Sequence, residues 1–124
     1  WNDPMRMHAK AYYIAEVLGV KETVHPVIFD AMHVQRKRLV SRLELRDLFE
    51  DNGVDPAQFD KAFDSFGVDS QVRQADARAR SAKISGTPSL MVAGKYLIET
   101  RAAGSQTNML EIARFLVDKE LAAR

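Results

Sequence analysis

Through the first two-thirds of the chain, apolar residues recur every three or four positions; after that they collect into short continuous runs. Ala11, Ile14, Ala15 and Leu18 lie on one helical face, the spacing of an amphipathic helix. Asp3-Pro4 opens it, because Asp caps free amides and Pro is tolerated in a first turn. Gly19 supplies a left-handed stop. The pattern predicts a second helix from residue 22 to about residue 35, with Val24, Ile28, Ala31 and Met32 inward. Pro26 is then expected in its first turn, since deeper inside it would remove a hydrogen bond and clash. Ser41 and Glu44 make a capping-box pair ahead of Leu45, Leu48 and Phe49. Asn52-Gly53 ends that third helix. Asp55-Pro56 repeats the opening of the first, and Phe59, Phe63 and Phe66 project into the core from a fourth helix that Gly67 closes. A fifth helix is predicted over residues 70–83, with a small-sided stripe of Val72, Ala75, Ala79 and Ala82.

The period then changes. Gly86 and Pro88 both break a helix, and Ser89-Leu90-Met91-Val92, the turn Ala93-Gly94 and Lys95-Tyr96-Leu97-Ile98 read as a two-strand hairpin. Residues 101–106 read as loop. Thr107 or Asn108 is expected to cap a last helix, with Met109, Leu110, Ala113, Leu116, Val117 and Leu121 inward. An isolated two-strand sheet is marginal in water. A hairpin this apolar is patterned for cover on both faces and calls for partner strands.

The totals narrow the function classes. With 124 residues, 46% hydrophobic and 28% charged, the chain fits one folded domain rather than a disordered segment. Eighteen basic against seventeen acidic residues point to no nucleic-acid partner. There is no cysteine, so the chain can form no disulfide, thiolate metal site or cysteine nucleophile of its own. His8, His25 and His33 lack the spacing of a metal site, and Arg36-Lys37-Arg38 fits a solvated helix end. No apolar run approaches the ~20 residues that span a bilayer. The start, Trp1-Asn2-Asp3-Pro4, is no signal peptide and already opens a helix, so the chain is expected to be a fragment or processed piece.

The most informative stretch is Gly86-Thr87-Pro88-Ser89-Leu90-Met91-Val92-Ala93-Gly94-Lys95-Tyr96. From these residues alone, a trans Pro88 that starts a strand is the simpler reading, because only about 5–6% of X-Pro bonds in folded proteins are cis. In sequence context, however, a long helix, a Gly-x-Pro step, a hairpin and a final helix resemble the closing half of a thioredoxin fold. Helices inserted ahead of that long helix resemble the DsbA family of thiol–disulfide oxidoreductases. The stretch from Ala11 to Val20 resembles the first inserted helix, and Phe29-Asp30-Ala31-Met32-His33 the next. Gly53-Val54-Asp55, Phe59 and Asp64-Ser65-Phe66 resemble the stretch before the long helix.

The resemblance implies an α/β fold, mostly helical in this chain: an inserted all-α domain over residues 1–69 and the closing α-β-β-α part of a thioredoxin fold over residues 70–124. It implies a cis Pro88 facing redox cysteines carried by an N-terminal β-α-β unit that these residues do not include, so no catalytic residue is expected here. Gly86, Thr87 and Pro88 are the implied substrate-binding residues, with Thr87 offering its main-chain N–H and C=O to a peptide by β-addition. No cofactor or metal is called for. The implied setting is the bacterial periplasm, with reduced exported proteins as substrates and a DsbB-type membrane oxidase as partner. A second copy of the chain, or the missing N-terminal half, is the expected partner of the uncovered hairpin. The kappa-type glutathione transferases and 2-hydroxychromene-2-carboxylate isomerases share the insertion and the Gly-x-Pro step. They tend, however, to follow the hairpin with an aromatic-rich segment, where this chain has Glu99-Thr100-Arg101-Ala102-Ala103-Gly104. A non-enzymatic helical interaction module is the remaining alternative.

Overall fold

The computed structural model describes residues 2–124 and follows the helical periodicity through the first half of the chain. Helix α1 spans Asp3–Val17, but its cap is Asn2, whose side chain accepts the Met5 N–H at 3.0 Å. Asp3 therefore lies inside the first turn rather than capping it, and Gly19 leaves the helix at φ +71°. Helix α2, Lys21–His33, begins earlier than expected and places Pro26 in its second turn. The carbonyl that loses its partner there belongs to Glu22, which is exposed and open to water, so the interior proline is tolerated. Helix α3, Arg42–Asp51, carries the full capping box: Glu44 N–H donates to Ser41 Oγ at 3.2 Å, and Glu44 Oε2 accepts the Val40 and Ser41 amides.

Helix α4, Pro56–Phe63, is capped by Asp55. Ser65 then separates it from α5, Phe66–Ser81, because its hydroxyl donates to the Ala62 carbonyl at 2.7 Å and accepts the Val68 N–H at 3.2 Å. Phe66 thus opens α5 instead of ending α4 and is 79% exposed, so it is not the core residue its spacing suggests. Gly67, expected as a stop, lies within the first turn of α5.

Contacts group the chain into two units, one ending at Asp76 and one from Ala77 to Arg124. The first unit packs Ile14, Val24, Leu45, Phe49, Phe59 and Val68 with smaller neighbours into one core, and the Phe49 and Phe59 rings lie 5.0 Å apart. Around its edge the Arg42 guanidinium donates twice to Asp64, at 2.9 Å each, and also to Asp60, while lying 4.4 Å from the Phe63 ring centre. Lys10 lies 4.0 Å from the same ring centre and pairs with Asp69 at 3.0 Å. The bracket ties α1, α3, α4 and the start of α5 together.

In the second unit, β1 (Ser89–Val92) pairs antiparallel with β2 (Tyr96–Glu99) in the register Ser89–Glu99, Leu90–Ile98, Met91–Leu97 and Val92–Tyr96. The turn holds Ala93 and Gly94 at φ +53° and +67° and closes with Lys95 N–H on the Val92 carbonyl, the geometry that matches the twist of paired strands. Residues 101–103, part of the stretch 101–106 expected as loop, instead lie in a single helical turn, α6 (Thr100–Ala103), which ends at Gly104 in the left-handed region. Helix α7, Gln106–Ala122, is capped by Ser105 rather than by Thr107 or Asn108. Asn108 instead donates its side-chain amide to the Ala103 carbonyl.

The core of this unit is Val92, Ile98 and Met109, with Leu90, Tyr96, Ala103, Ala113 and Leu116 against it. Leu110, Val117 and Leu121, expected inward, are 65%, 44% and 57% exposed. The apolar arc of α7 is wider than the hairpin face it covers, and only its Met109–Ala113–Leu116 side meets the strands. At the turn, Lys95 pairs with Glu120 at 2.8 Å. That hydrogen bond raises the Lys95 pKa and lowers that of Glu120.

Candidate peptide-binding site

No polar or charged residue is fully buried among the described residues, so the chemistry of the chain is surface chemistry. The place where it gathers is the open end of the hairpin. After α5, Lys83 turns the chain at φ +56°, and Ile84 N–H still reaches back to the Ala79 carbonyl at 3.0 Å. The segment that follows, residues 85–88, is exposed throughout. Three side chains hold it. Ser85 donates to Glu99 Oε1 at 3.0 Å, Ser89 donates to the Gly86 carbonyl at 2.6 Å, and Thr100 donates to the Pro88 carbonyl at 3.3 Å. The Thr100 hydroxyl also lies 3.0 Å from the sulfur of Met109, so its one proton is shared between the loop and the core.

The Thr87–Pro88 peptide bond is cis. Thr87 itself makes no hydrogen bond among the described residues, through its main-chain N–H, its C=O or its hydroxyl. A main-chain donor and acceptor therefore lie open side by side, and exposed backbone of this kind is where an extended peptide can add. Beside them is a groove of about 330 Å³ lined by residues 85–89 and by Glu99, Thr100 and Arg101. The structure thus brings Gly86, Thr87 and Pro88 together with the adjoining Ser85 and Ser89 and with three residues at and just beyond the end of β2, Glu99, Thr100 and Arg101, that sequence reasoning missed. The signal for those three was the hairpin register: once Ser89 faces Glu99, residues just before β1 and just after β2 must share one end of the sheet.

The resolved electrostatic shifts involve none of the residues lining this groove. In the first unit, the hydrogen bonds from Arg42 hold Asp64 below the usual carboxylate range, and those same bonds, with the ones to Asp60, raise the Arg42 pKa. His8 lies within hydrogen-bonding distance, 3.0 Å, of the Arg38 carbonyl. His25 and His33 stack edgewise or tilted with Tyr12 and Phe29. Among the described residues, no three His, Asp or Glu side chains come close enough to hold a metal ion.

Comparison with known proteins gives a consistent result. Residues 3–111 match the DSBA-like thioredoxin domain. Over 124 residues the chain is 36% identical to the thiol:disulfide interchange protein DsbA of Azotobacter vinelandii, covering 100% of this chain and 56% of that protein. The chain thus spans little more than half the length of such relatives. Among solved structures, it is similar to Pseudomonas aeruginosa DsbA, with a TM-score of 0.91 and 30% identity over 99% of this chain and 64% of that one. It is also similar to a Proteus mirabilis DsbA solved with a non-covalently bound peptide, with a TM-score of 0.75 and 26% identity over 100% of this chain and 66% of that one.

Proposed function

Because the chain belongs to the DSBA-like thioredoxin domain family, we propose that it is the substrate-binding portion of a thiol–disulfide oxidoreductase that forms disulfides in proteins exported to the bacterial periplasm. The observation that carries this is Thr87: its free N–H and C=O, at the exposed end of β1, are what an extended peptide needs in order to pair. Pro88 has no N–H, so it presents no competing donor at the next position. Gly86, Thr87 and Pro88 are the substrate-binding residues. In this assignment residues 1–69 are the inserted helical domain and residues 70–124 the closing part of the thioredoxin fold.

The 124 residues contain no cysteine. The reaction needs a cysteine pair from polypeptide other than these residues: its disulfide is attacked by a substrate thiolate, and a second substrate thiolate resolves the mixed disulfide. The substrate dithiol is oxidised and the enzyme pair reduced. A DsbB-type membrane oxidase would return the pair to the disulfide. The remaining partner is a redox half bearing that pair, or a second copy of the chain, laid against the hairpin face on which Met91 is 39% exposed.

Two experiments test this. In an NMR titration, a cysteine-free extended peptide should move the resonances of Gly86, Thr87 and Ser89, and N-methylating its pairing amide should abolish the effect. In a chimaera, the N-terminal portion of the Azotobacter vinelandii DsbA placed ahead of residue 1 should oxidise a two-cysteine peptide, while the chain alone is inactive in insulin reduction. A folded chimaera with no peptide oxidation sinks the assignment.

A further inference from the structure

Two charged side chains line the groove, Glu99 and Arg101, and they are placed very differently. Glu99 is half-buried, and its carboxylate already accepts the Ser85 hydroxyl. Arg101 is exposed, and its guanidinium has no hydrogen bond, ion pair or ring contact among the described residues, Glu99 included. Its backbone is nonetheless fixed. Arg101 follows Thr100, whose hydroxyl is tied to Pro88 and Met109 and whose carbonyl accepts the Gly104 N–H at 2.8 Å. A free cation is therefore mounted on a turn that is bonded directly to the loop carrying Thr87. Lys95 and Lys119, by contrast, are engaged by Glu120 and by the Tyr96 ring.

We propose that Arg101 is a specificity-determining residue of the groove, selecting peptide segments that carry an aspartate or glutamate side chain beside the residues paired with Thr87. The inference rests on the peptide-binding assignment above and names the class of peptide that site prefers. A guanidinium presents a planar fork of donors that fits a carboxylate bidentately. It also repels a lysine-bearing segment, so attraction and rejection act in the same direction. Glu99 keeps its charge, but it is half-buried with Oε1 turned to Ser85, whereas Arg101 is exposed with no partner among the described residues, so the guanidinium is the more accessible charge to a bound peptide.

The test uses the full 124-residue chain and three cysteine-free peptides that differ at one position, Asp, Asn or Lys, with binding read by fluorescence anisotropy. The Asp peptide should bind about two- to five-fold more tightly than the Asn peptide, the scale of an exposed ion pair, and the Lys peptide more weakly than either. Arg101→Gln should bring the Asp/Asn ratio to about one. Arg101→Lys should keep part of the ratio, and Arg114→Gln, the same charge change elsewhere on the surface, should keep all of it. Near 1 M salt, where screening acts within about 3 Å, the ratio should shrink towards one. Equal binding of Asp and Asn peptides to the unaltered chain, or a ratio that survives Arg101→Gln, overturns the role of Arg101 and leaves the peptide site standing. If no peptide binds and residues 86–89 do not respond, the peptide site fails, and this inference with it.

Discussion

Met109→Ala, compared with Leu110→Ala, measures how the second unit is held together. The two residues are adjacent on α7 and both belong to its apolar pattern, yet Met109 is 1% exposed and Leu110 65%. Truncating Met109 removes three heavy atoms from a core whose other buried members among the described residues are Val92 and Ile98. At about 0.8 kcal/mol per buried methylene-sized group the transfer loss is about 2.4 kcal/mol. The cavity left behind raises the total to about 3 kcal/mol, within the roughly 2–5 kcal/mol range of such truncations. Leu110→Ala deletes a similar volume from a side chain that is mostly in water and should cost under about 0.5 kcal/mol. The assay is amide hydrogen exchange read at β1 and β2, where about 3 kcal/mol corresponds to protection falling about 150-fold. Equal losses for the two variants, or a larger one for Leu110→Ala, would refute the orientation of α7 and the three-residue core.

In the first unit, Phe59→Ala removes a fully buried ring packed on Phe49 and should lower stability by about 3–5 kcal/mol. Phe66→Ala, at a 79% exposed position, should leave the urea midpoint almost unchanged. Glu44→Ala deletes the acceptor of the Val40 and Ser41 amides at 2.8 and 3.2 Å and should cost about 1 kcal/mol in a thermal melt, with Glu44→Gln largely restoring it. For pH, Asp64 and Glu120 are lowered by their hydrogen bonds to Arg42 and Lys95. Their contribution is complete above the ordinary carboxylate pKa of about 4 and is lost as pH falls through the lower folded-state value. The melting-temperature gap between the native chain and Asp64→Asn or Glu120→Gln should therefore be present at pH 7 and close near pH 2, and a gap that persists in acid contradicts the pairing. Lys95, raised by Glu120, works in the opposite sense, its contribution fading as pH climbs past about 10.4.

What could be read from the sequence was local. The Ser41–Glu44 box, the Asp55 cap, the left-handed exits at Gly19 and Gly53 and the Ala93-Gly94 turn each depend on residues within four positions of one another, and the structure has all of them. Errors fell where a local signal had two solutions. Phe59, Phe63 and Phe66 share a helical spacing, but Ser65 bonds both backward and forward and splits them between two helices. Along α7 the apolar arc is broad enough to face two ways, and periodicity cannot choose between Met109 and Leu110 without the hairpin in place. The same limit applies to the site. Gly86-Thr87-Pro88 stands out as a break in pattern, whereas Glu99, Thr100 and Arg101 fall just after the run ending at Ile98, where a loop is expected from Arg101 on, with no signal of their own. Only pairing across the hairpin makes them neighbours of the proline step.

That pairing also sorts the forces acting at the site. The hairpin and α7 form a platform held by a small apolar core, where removing one side chain costs several kcal/mol. The loop above it is held by three side-chain hydrogen bonds, each worth about 1 kcal/mol and each accessible to water. Such a loop keeps its place on the platform while leaving the Thr87 main chain unsatisfied. In the proposed peptide site, main-chain pairing would supply binding energy that every peptide can offer whatever its sequence. Discrimination must then come from whatever side chain stands at the groove with its own bonding unmet. Among the charged residues lining it, Glu99 is held through one oxygen by Ser85, and Arg101 has no partner among the described residues, which is why the proposed selectivity is assigned to it.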